Sequence, residues 1–254
     1  MGGLVFSPMP QLSVNINKIA TLRNSRAGSV PSVIDAARVC VEAGAPGITV
    51  HPRADERHIT RQDVLDLAKF LGPHRDGVEL NLEGDLRPDF LSLLKEVRPH
   101  QATLVPVLPG EITSQGGWPA DTPREALVEA IGELRGLGMR VSVFVDPLEA
   151  PIDWAAGIGA DRIELYTEPF AAAFASHPEA GAEQFAIYAA AAEYAHSLGL
   201  GINAGHDLDL ANLELFARLP HLDEVSIGHA LISDAVFRGL DTVVRDYLAR
   251  LQNP

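Results

Sequence analysis

Apolar and polar positions along the chain follow two alternating patterns. Short runs rich in Val, Ile and Leu are typical of buried strands, and longer stretches with apolar residues every three or four positions are typical of amphipathic helices. The predicted strands cover residues 12–17, 47–51, 78–83, 101–106, 140–146, 161–167, 201–206 and 224–228. The predicted helices cover residues 31–43, 61–71, 88–97, 123–137, 183–198 and 234–251. This alternation predicts an α/β fold with a parallel sheet closed as a (β/α)8 TIM barrel, in one domain over residues 1–254.

Glycine repeatedly marks the passage from a helix to the next strand. The segments are EAGAPGITV, GLGMRVSVFV, GIGADRIELY and SLGLGINA. A glycine just past a helix end adopts the left-handed conformation that terminates the helix. We interpret these segments as repeating units of one barrel.

Polar side chains are concentrated at the C-terminal ends of the predicted strands, whereas the strand starts are mostly apolar. The polar residues at these ends are Asn15, Asn17, His51, Glu83, Glu164, Asn203 and His206. Buried polar groups without partners are costly, and TIM-barrel active sites lie at this end of the strands, so we expect these side chains to meet a substrate. Glu79, at the start of the third strand, is expected to be solvated or ion-paired near the opposite end.

Two segments near the end of the chain combine a short strand with Gly-His, namely GINAGH at 201–206 and EVSIGHALI at 224–232. The loops after the seventh and eighth strands of TIM barrels commonly form a phosphate pocket. Gly228 and His229 stand where backbone amides at a helix N-terminus would bind an anion. The alternative is that both glycines only turn the chain. The pair, in this position, favours a phosphate pocket.

Composition narrows the class of protein. Hydrophobic residues make up 46% of the chain and charged residues 21%, which suits a substantial core and argues against disorder. The net charge of -14 disfavours binding to nucleic acid or to an anionic membrane. We expect no membrane span and no secretory signal from the pattern of apolar residues. Cys40 is the only cysteine, which excludes an internal disulfide and fits a reducing cytoplasm.

Four titratable residues at the strand ends suit acid–base chemistry. His51 offers a base near neutral pH, Glu83 and Glu164 offer carboxyls that a water-poor cavity can tune, and His206 suits the role of an acid. Arg53 and His58, which follow His51, are potential phosphate contacts. The alternatives are a structural histidine at 51 and a solvated basic cluster around Arg53.

Other chemistries have less support in the sequence. A metal site could be built from the same four residues, but no tight ligand spacing favours it. Lys18 stands near a strand end, so a Schiff-base lysine is a second alternative. Arg23 and Arg26 are further candidates for anion binding. No nucleotide-binding glycine motif follows the first strand.

Two long connections stand out. Residues 110–118 (GEITSQGGW) follow the fourth strand and are rich in glycine, which is typical of a mobile lid. Residues 167–181 (TEPFAAAFASHPEAG) extend the sixth unit and are expected to form an additional helix or a subunit contact.

Six motifs resemble those of the pyridoxine 5′-phosphate synthase family. They are VNINKIATLRNSR, GITVHPRADERHIT, ELNLEGD, IELYTEPFA, INAGHDL and VSIGHALIS, which span nearly the whole chain in the family's order. The resemblance implies a TIM barrel with extra helices, a homo-octamer in the cytoplasm, and no metal or organic cofactor. It also implies condensation of 3-amino-2-oxopropyl phosphate with 1-deoxy-D-xylulose 5-phosphate to pyridoxine 5′-phosphate, phosphate and water.

The resemblance also assigns roles to individual residues. His51 and Glu83 match the proton acceptors, His206 the proton donor and Glu164 the transition-state stabiliser. The positions that match the aminoketone phosphate site are Asn15, Arg26, Asp207, Gly228 and His229. The positions that match the deoxyxylulose phosphate site are Asn17, Lys18, Arg53, His58 and Ser114.

The chain departs from the family's pattern at three places. Asn17-Lys18 stands where many members carry Asp-His, and residues 107–109 (Val-Leu-Pro) replace Glu-Lys-Arg after the fourth strand. Asp207 replaces a glycine, so its carboxylate must either point away from a phosphate dianion or repel it. Two alternatives to the synthase remain: another phosphosugar barrel enzyme, such as an epimerase or aldolase, and a phosphate-ligand sensor without catalysis.

Overall fold

The computed structural model describes residues 9–26, 28–106 and 116–252. Eight parallel strands close into a barrel in which each strand pairs with its neighbours in the sequence and the last pairs with the first. The strands are β1 Gln11–Asn15, β2 Gly47–Val50, β3 Glu79–Gly84, β4 Gln101–Leu104, β5 Arg140–Val145, β6 Arg162–Tyr166, β7 Gly201–Gly205 and β8 Leu222–Ile227. The predicted TIM barrel is therefore confirmed.

The helices surround the barrel and include several beyond one per strand. They are α1 Asn17–Asn24, α2 Val33–Glu42, α3 Arg61–Leu71, α4 Pro88–Val97, α5 Glu125–Gly136, α6 Glu149–Gly157, α7 Glu168–Ser176, α8 Pro178–Ser197, α9 Leu213–Phe216, α10 His229–Arg238 and α11 Leu240–Gln252. A short 3-10 turn, Gly72–His74, follows α3. The extra helix expected after the sixth strand is α7. None of the helices in these described ranges is both long and apolar enough to span a membrane.

The glycine repeats act as predicted. Gly44, Gly138, Gly159 and Gly199 have φ angles of +100, +84, +79 and +82°, a conformation that favours glycine. Each directly follows a helical segment and leads into a strand. A fifth, Gly239, with φ +86°, divides the predicted helix 234–251 into α10 and α11.

Most boundaries shift by one or two residues from the prediction, and three differences change the description of the fold. Asn17 begins α1 instead of ending the first strand, because the chain turns at Ile16. The predicted helix 183–198 begins earlier, as α8, where Pro178 occupies a first-turn position that tolerates proline. The division at Gly239 is the third.

The two faces of the strands differ in polarity. Outward-facing side chains such as Leu12, Val14 and Ile48 belong to the apolar core against the helices. Most of the alternating buried residues, which face inward, are polar: Ser13, Thr49, Asn81, Glu83, Gln101, Thr103, Ser142, Glu164, Asn203, Glu224 and Ser226. Several of them bond to one another, and the Gln101 amide on β4 donates across the barrel to Glu224 on β8 at 3.3 Å. The barrel interior is thus a hydrogen-bonded polar layer.

Candidate active site

A cavity of about 800 Å³ opens at the C-terminal ends of the strands. The predicted site residues that line it are Asn15, Asn17, Lys18, His51, Arg53, His58, Glu83, Glu164, His206, Asp207, Gly228 and His229. Arg26 is exposed just past α1 and does not line this cavity. Ser114 lies outside the described residues, as do the departure at 107–109 and most of the predicted lid at 110–118.

Glu83 is buried near the end of β3, where it contacts Asn15 on β1 and His51, which follows β2. The Asn15 amide donates to its Oε2 at 3.5 Å, and His51 Nδ1 lies 3.8 Å from the same oxygen. Burial raises the pKa of Glu83 to about 7, and the buried Glu224 carboxyl adds to the rise. A carboxyl with this pKa exchanges a proton readily near neutral pH.

Glu164 is buried on β6, and its Oε2 has no hydrogen-bond partner among the described residues. Burial, followed by the Glu83 and Glu224 carboxyls, raises its pKa well above the ordinary value. The glycine at 205 makes room for it, since a Cβ there would stand 2.5 Å from Glu164 Oε1. An unpartnered buried oxygen that lines a cavity is suited to contact with a ligand.

The side chain of Asn17 holds the backbone of His51 in place. The Asn17 amide oxygen accepts from the backbone N–H of His51 at 2.9 Å, and the Asn17 N–H donates to Asn15 Oδ1 at 3.1 Å. Burial, followed by the charges of Arg53 and His58, lowers the pKa of His51 well below its usual value. The neutral ring can accept a proton, and its Nε2 has no hydrogen-bond partner in the described part of the chain.

His206 follows β7 in the left-handed region, at φ +85°, which is uncommon for a residue with a Cβ. Its ring packs against Phe144 and Tyr166, with centroids 5.0 and 5.4 Å away. The hydroxyl of buried Thr167 donates to the Gly205 carbonyl at 2.7 Å and also contacts the His206 carbonyl. Burial lowers the pKa of His206, while the Asp207 carboxylate opposes the shift.

A basic wall lies on the side of α1 and the loop after β2, formed by Lys18, Arg53, Arg57 and His58. His58 Nδ1 accepts from the Ile59 N–H at 2.9 Å, so the proton of the neutral ring is on Nε2. Burial, followed by the charge of Arg53, lowers the pKa of His58 to about 4. The ring therefore offers an uncharged N–H donor beside cationic side chains.

The first turn of α10 forms the opposite corner, where Gly228, His229 and Ala230 line the cavity. Backbone N–H groups in a first helical turn have no partner within the helix, which suits an anion. Gly228 has φ −125°, so positive φ is not the reason for glycine. A Cβ there would lie 3.0 Å from the Asn15 carbonyl oxygen, so the absent side chain allows β1 and β8 to approach closely.

The structure changes the interpretation of one cationic candidate, Arg23, and keeps Lys18 at the cavity. Arg23 forms a bidentate ion pair with Asp63, at 2.5 and 2.8 Å, instead of lining the cavity. Lys18 lines the cavity from α1. Across the described ranges, no three histidine, cysteine or carboxylate side chains are grouped as ligands for a metal ion.

The sequence interpretation missed several residues that line the cavity: Thr21, Arg57, Val105, Tyr166, Glu168, Leu208, Ser226 and Ala230. Strand alternation could have identified Ser226 and Tyr166, because each is two residues from an inward-facing glutamate. Thr21 lies one helical turn after Asn17 and Lys18. It reaches the cavity because α1 begins at Asn17, a start that the sequence interpretation did not predict.

The chain matches the family model described as pyridoxal phosphate biosynthesis protein PdxJ over residues 12–253. A relative from Bacteroides fragilis, named pyridoxine 5′-phosphate synthase, is 52% identical over 240 residues, covering 94% of this chain and 98% of the relative. A relative of the same name from Porphyromonas gingivalis is 51% identical over 244 residues, covering 96% of this chain and 99% of its own length.

Solved structures add agreement on the fold alone. Phosphoribosyl anthranilate isomerase from Thermus thermophilus superposes with a TM-score of 0.58 at 18% identity, covering 95% of this chain and 98% of that structure. The YdjI aldolase from Escherichia coli K12 gives 0.58 at 13% identity, covering 96% and 89%. The family match over nearly the whole chain and the relatives at about half identity carry more weight: this chain belongs to the family of pyridoxal phosphate biosynthesis protein PdxJ.

Proposed function

We propose that the chain is a pyridoxine 5′-phosphate synthase, which condenses 3-amino-2-oxopropyl phosphate with 1-deoxy-D-xylulose 5-phosphate. The products are pyridoxine 5′-phosphate, phosphate and water. The observation that carries the proposal is the single cavity that brings His51, Glu83, Glu164 and His206 together, with a basic wall on one side and a helix N-terminus on the other. Two anionic substrates require two such places, and ring closure requires several proton transfers between them.

Each titratable group suits one part of the chemistry. His51, neutral because its pKa is low, accepts a proton, and the adjacent Glu83 shares this role because its pKa of about 7 lets it change state near neutral pH. Glu164 lies in the same buried space, where its carboxylate form would stabilise a cation that develops during dehydration. These roles need no redox step, so we propose that the reaction requires no metal or organic cofactor.

His206 is proposed as the proton donor to a leaving oxygen. Burial lowers the pKa of His206, so its ring is neutral in the cavity and donates through its N–H. A phosphate dianion bound beside it would favour the protonated ring. The side chains of Phe144 and Tyr166 restrict its orientation, which limits the reorganisation needed during the reaction.

The two substrates are assigned to opposite sides. The deoxyxylulose phosphate is proposed to bind Asn17, Lys18, Arg53, His58 and Ser114. The aminoketone phosphate is proposed to bind Asn15, Asp207, Gly228 and His229, with Arg26 as a further contact. Holding both reactants in one cavity removes much of the entropic barrier to their bimolecular reaction.

The test is to mix the purified chain with both substrates and follow pyridoxine 5′-phosphate by mass spectrometry, together with phosphate release. We expect equal amounts of the two products, dependent on both substrates and unchanged by a metal chelator. Product formed from one substrate alone, or an activity that a chelator abolishes, would contradict the proposal. Lys18→Ala with retained turnover would exclude an aldolase that uses this lysine as a Schiff base.

We also propose that the single barrel domain assembles as a homo-octamer in the cytoplasm. The support is the resemblance to the family, together with large exposed apolar side chains on one part of the surface, such as Val236 at 70% and Phe237 at 90% exposure. The absence of any second cysteine fits a reducing compartment. Light scattering after gel filtration tests the assembly; a monomer at micromolar concentration would contradict it.

A further inference from the structure

The end of α1 is bonded to the backbone of the loop after β2. The Asn24 amide donates to the carbonyl oxygens of His58 and Arg57, at 2.8 and 3.2 Å. Arg23 donates to the same His58 carbonyl at 3.1 Å. Two consecutive residues of one helix thus hold the segment that carries part of the basic wall.

Asp63 fixes Arg23 from the other side. Its carboxylate accepts both N–H groups of the Arg23 fork and also the Thr60 N–H at 2.8 Å, where it completes the capping box of α3. The Arg23 and Asp63 side chains are only 12% and 13% exposed. Arg23 Nε donates to Asn24 Oδ1 at 2.9 Å, so the Asn24 NH2 group is directed at the loop carbonyls.

This arrangement turns the loop carbonyls toward α1 and leaves the side chains of the loop to line the cavity. The carbonyl of His58 is held by Asn24 and Arg23, while its ring accepts from the next N–H in the chain. The first turn of α1 supplies Asn17 and Lys18 to the same side of the cavity. One helix therefore contributes lining residues at its start and orients lining residues with its end.

We propose that Arg23, Asn24 and Asp63 are positioning residues that set the affinity for the sugar-phosphate substrate without touching it. The inference rests on the proposed function for the identity of that substrate. It applies to the side of Arg53 and His58 only. The opposite loop has a holding amide of its own: Asn212 Nδ2 donates to the Asp207 carbonyl at 3.0 Å, and Asn212 Oδ1 accepts from Asp209 N–H at 2.9 Å.

The matched pair of amides allows a crossed experiment with isosteric variants. Asn24→Asp keeps the oxygen that accepts from Arg23 but replaces the NH2 donor with an oxygen facing the loop carbonyls. Because the new carboxylate oxygen would repel the His58 and Arg57 carbonyls that the NH2 group held, we expect the loop to shift and KM and Kd for 1-deoxy-D-xylulose 5-phosphate to rise about ten-fold or more. We expect KM for 3-amino-2-oxopropyl phosphate and kcat at saturation to stay within about two-fold. Asn212→Asp is expected to reverse the pattern between the two substrates.

Two further variants separate positioning from general stability. Arg23→Lys keeps the charge but loses the fork, so it should raise the same KM in the same direction and should be non-additive with Asn24→Asp. Arg75→Lys removes a comparable bond to a backbone carbonyl, that of Arg98 at 2.7 Å, away from the cavity, and should change neither KM. Should Asn24→Asp not fold, as judged by circular dichroism, Arg23→Lys carries the same comparison.

Equal rises in both KM values, or a lower melting temperature with both unchanged, would overturn the proposal. Kd is measured by calorimetry with one substrate at a time, so it is independent of turnover. If the wild type binds deoxyxylulose phosphate but makes no pyridoxine 5′-phosphate, the proposed function fails while the inference is still tested by the shift in Kd. If the wild type does not bind that phosphate, the inference falls as well.

Discussion

Glu79 and Glu83 lie on the same face of β3, yet their surroundings differ. Glu79, at the base of the barrel, pairs with Arg140, whose Nη1 donates at 3.3 Å to Oε1. Burial opposes ionisation of Glu79, but the hydrogen bonds and charge of Arg140 outweigh it and lower its pKa. Glu83, at the mouth, has no arginine or lysine ion pair within residues 9–26, 28–106 and 116–252, and its pKa rises to about 7.

The difference shows that burial alone does not decide what an inward-facing carboxylate does. An arginine within reach keeps Glu79 charged and structural. Glu83 and Glu164 form no such pair in the described part of the chain and can hold or release protons, because the neighbouring carboxyls and the low-dielectric surroundings disfavour the charged form. Glu224 stands between the two cases: the charge of Arg162 opposes burial, but its pKa still rises to about 7.

The sharpest test of this contrast is Glu83→Gln. Glutamine keeps the shape and the bond from Asn15 but cannot exchange a proton, so kcat should fall by about 10²–10⁴-fold. Steady-state assays of pyridoxine 5′-phosphate formation measure the change. The matched variant Glu79→Gln, on the same strand, should leave kcat nearly unchanged. Similar losses in both variants would mean that the mouth carboxyl has no special role.

His206→Ala tests the other side of the mouth. Because the proposed role is proton donation in the transition state, kcat should fall by about 10²-fold or more while Kd for the substrates changes little. Calorimetric binding alongside steady-state kinetics separates the two parameters. A loss of affinity with kcat intact would reject the acid role.

The pH dependence of the free energy of unfolding should identify Glu224 as a buried carboxyl whose negative charge Arg162 does not fully compensate. Its folded pKa of about 7 lies above the ordinary value of 4.5 for a glutamate, so its contribution to the free energy of unfolding is fully present below pH 4.5 and is lost as the pH rises through 7. Glu224→Gln does not titrate, so relative to the wild type it should gain about 3 kcal/mol between these limits. Urea unfolding at several pH values measures the difference. A difference that is constant with pH would contradict the raised pKa.

Glu79→Gln should show the smallest effect and the opposite sign. The folded pKa of Glu79 is lowered, so the stability from its ion pair is present above its unfolded pKa and is lost as the pH falls. Its side chain is 41% exposed, and solvent screening limits the contribution to about 0.2–1 kcal/mol. The same urea series should show the variant less stable at pH 7 and equal to the wild type in acid.

Much of this architecture could be predicted from the sequence. The strand count and the glycine helix ends define the barrel, and the C-terminal ends of the strands place Asn15, Glu83 and His206 at one rim. The expectation that Glu79 is ion-paired near the base is confirmed by its contact with Arg140. These features depend on local pattern and on the regular geometry of strands, which a single sequence expresses directly.

Other features depend on contacts between distant segments. Nothing near Arg23 in the sequence indicates Asp63, which converts a candidate anion contact into an ion pair. A side chain at position 228 would crowd the Asn15 backbone, and one at position 205 would clash with Glu164, so both positions favour glycine. The aromatic rings around His206 come from β5 and β6. Each of these needs the closed barrel before it can be identified.

The alternation of inward and outward residues has a practical consequence for protein engineering. The free energy gained by removing apolar surface from water comes from outward side chains such as Leu12, Val14 and Ile48 against the helices. The lumen is lined by an independent set of residues on the same strands. A combinatorial library confined to inward positions at the mouth, with Glu83 and Glu164 kept, would therefore diversify substrate choice while sparing the layer that holds the helices to the barrel.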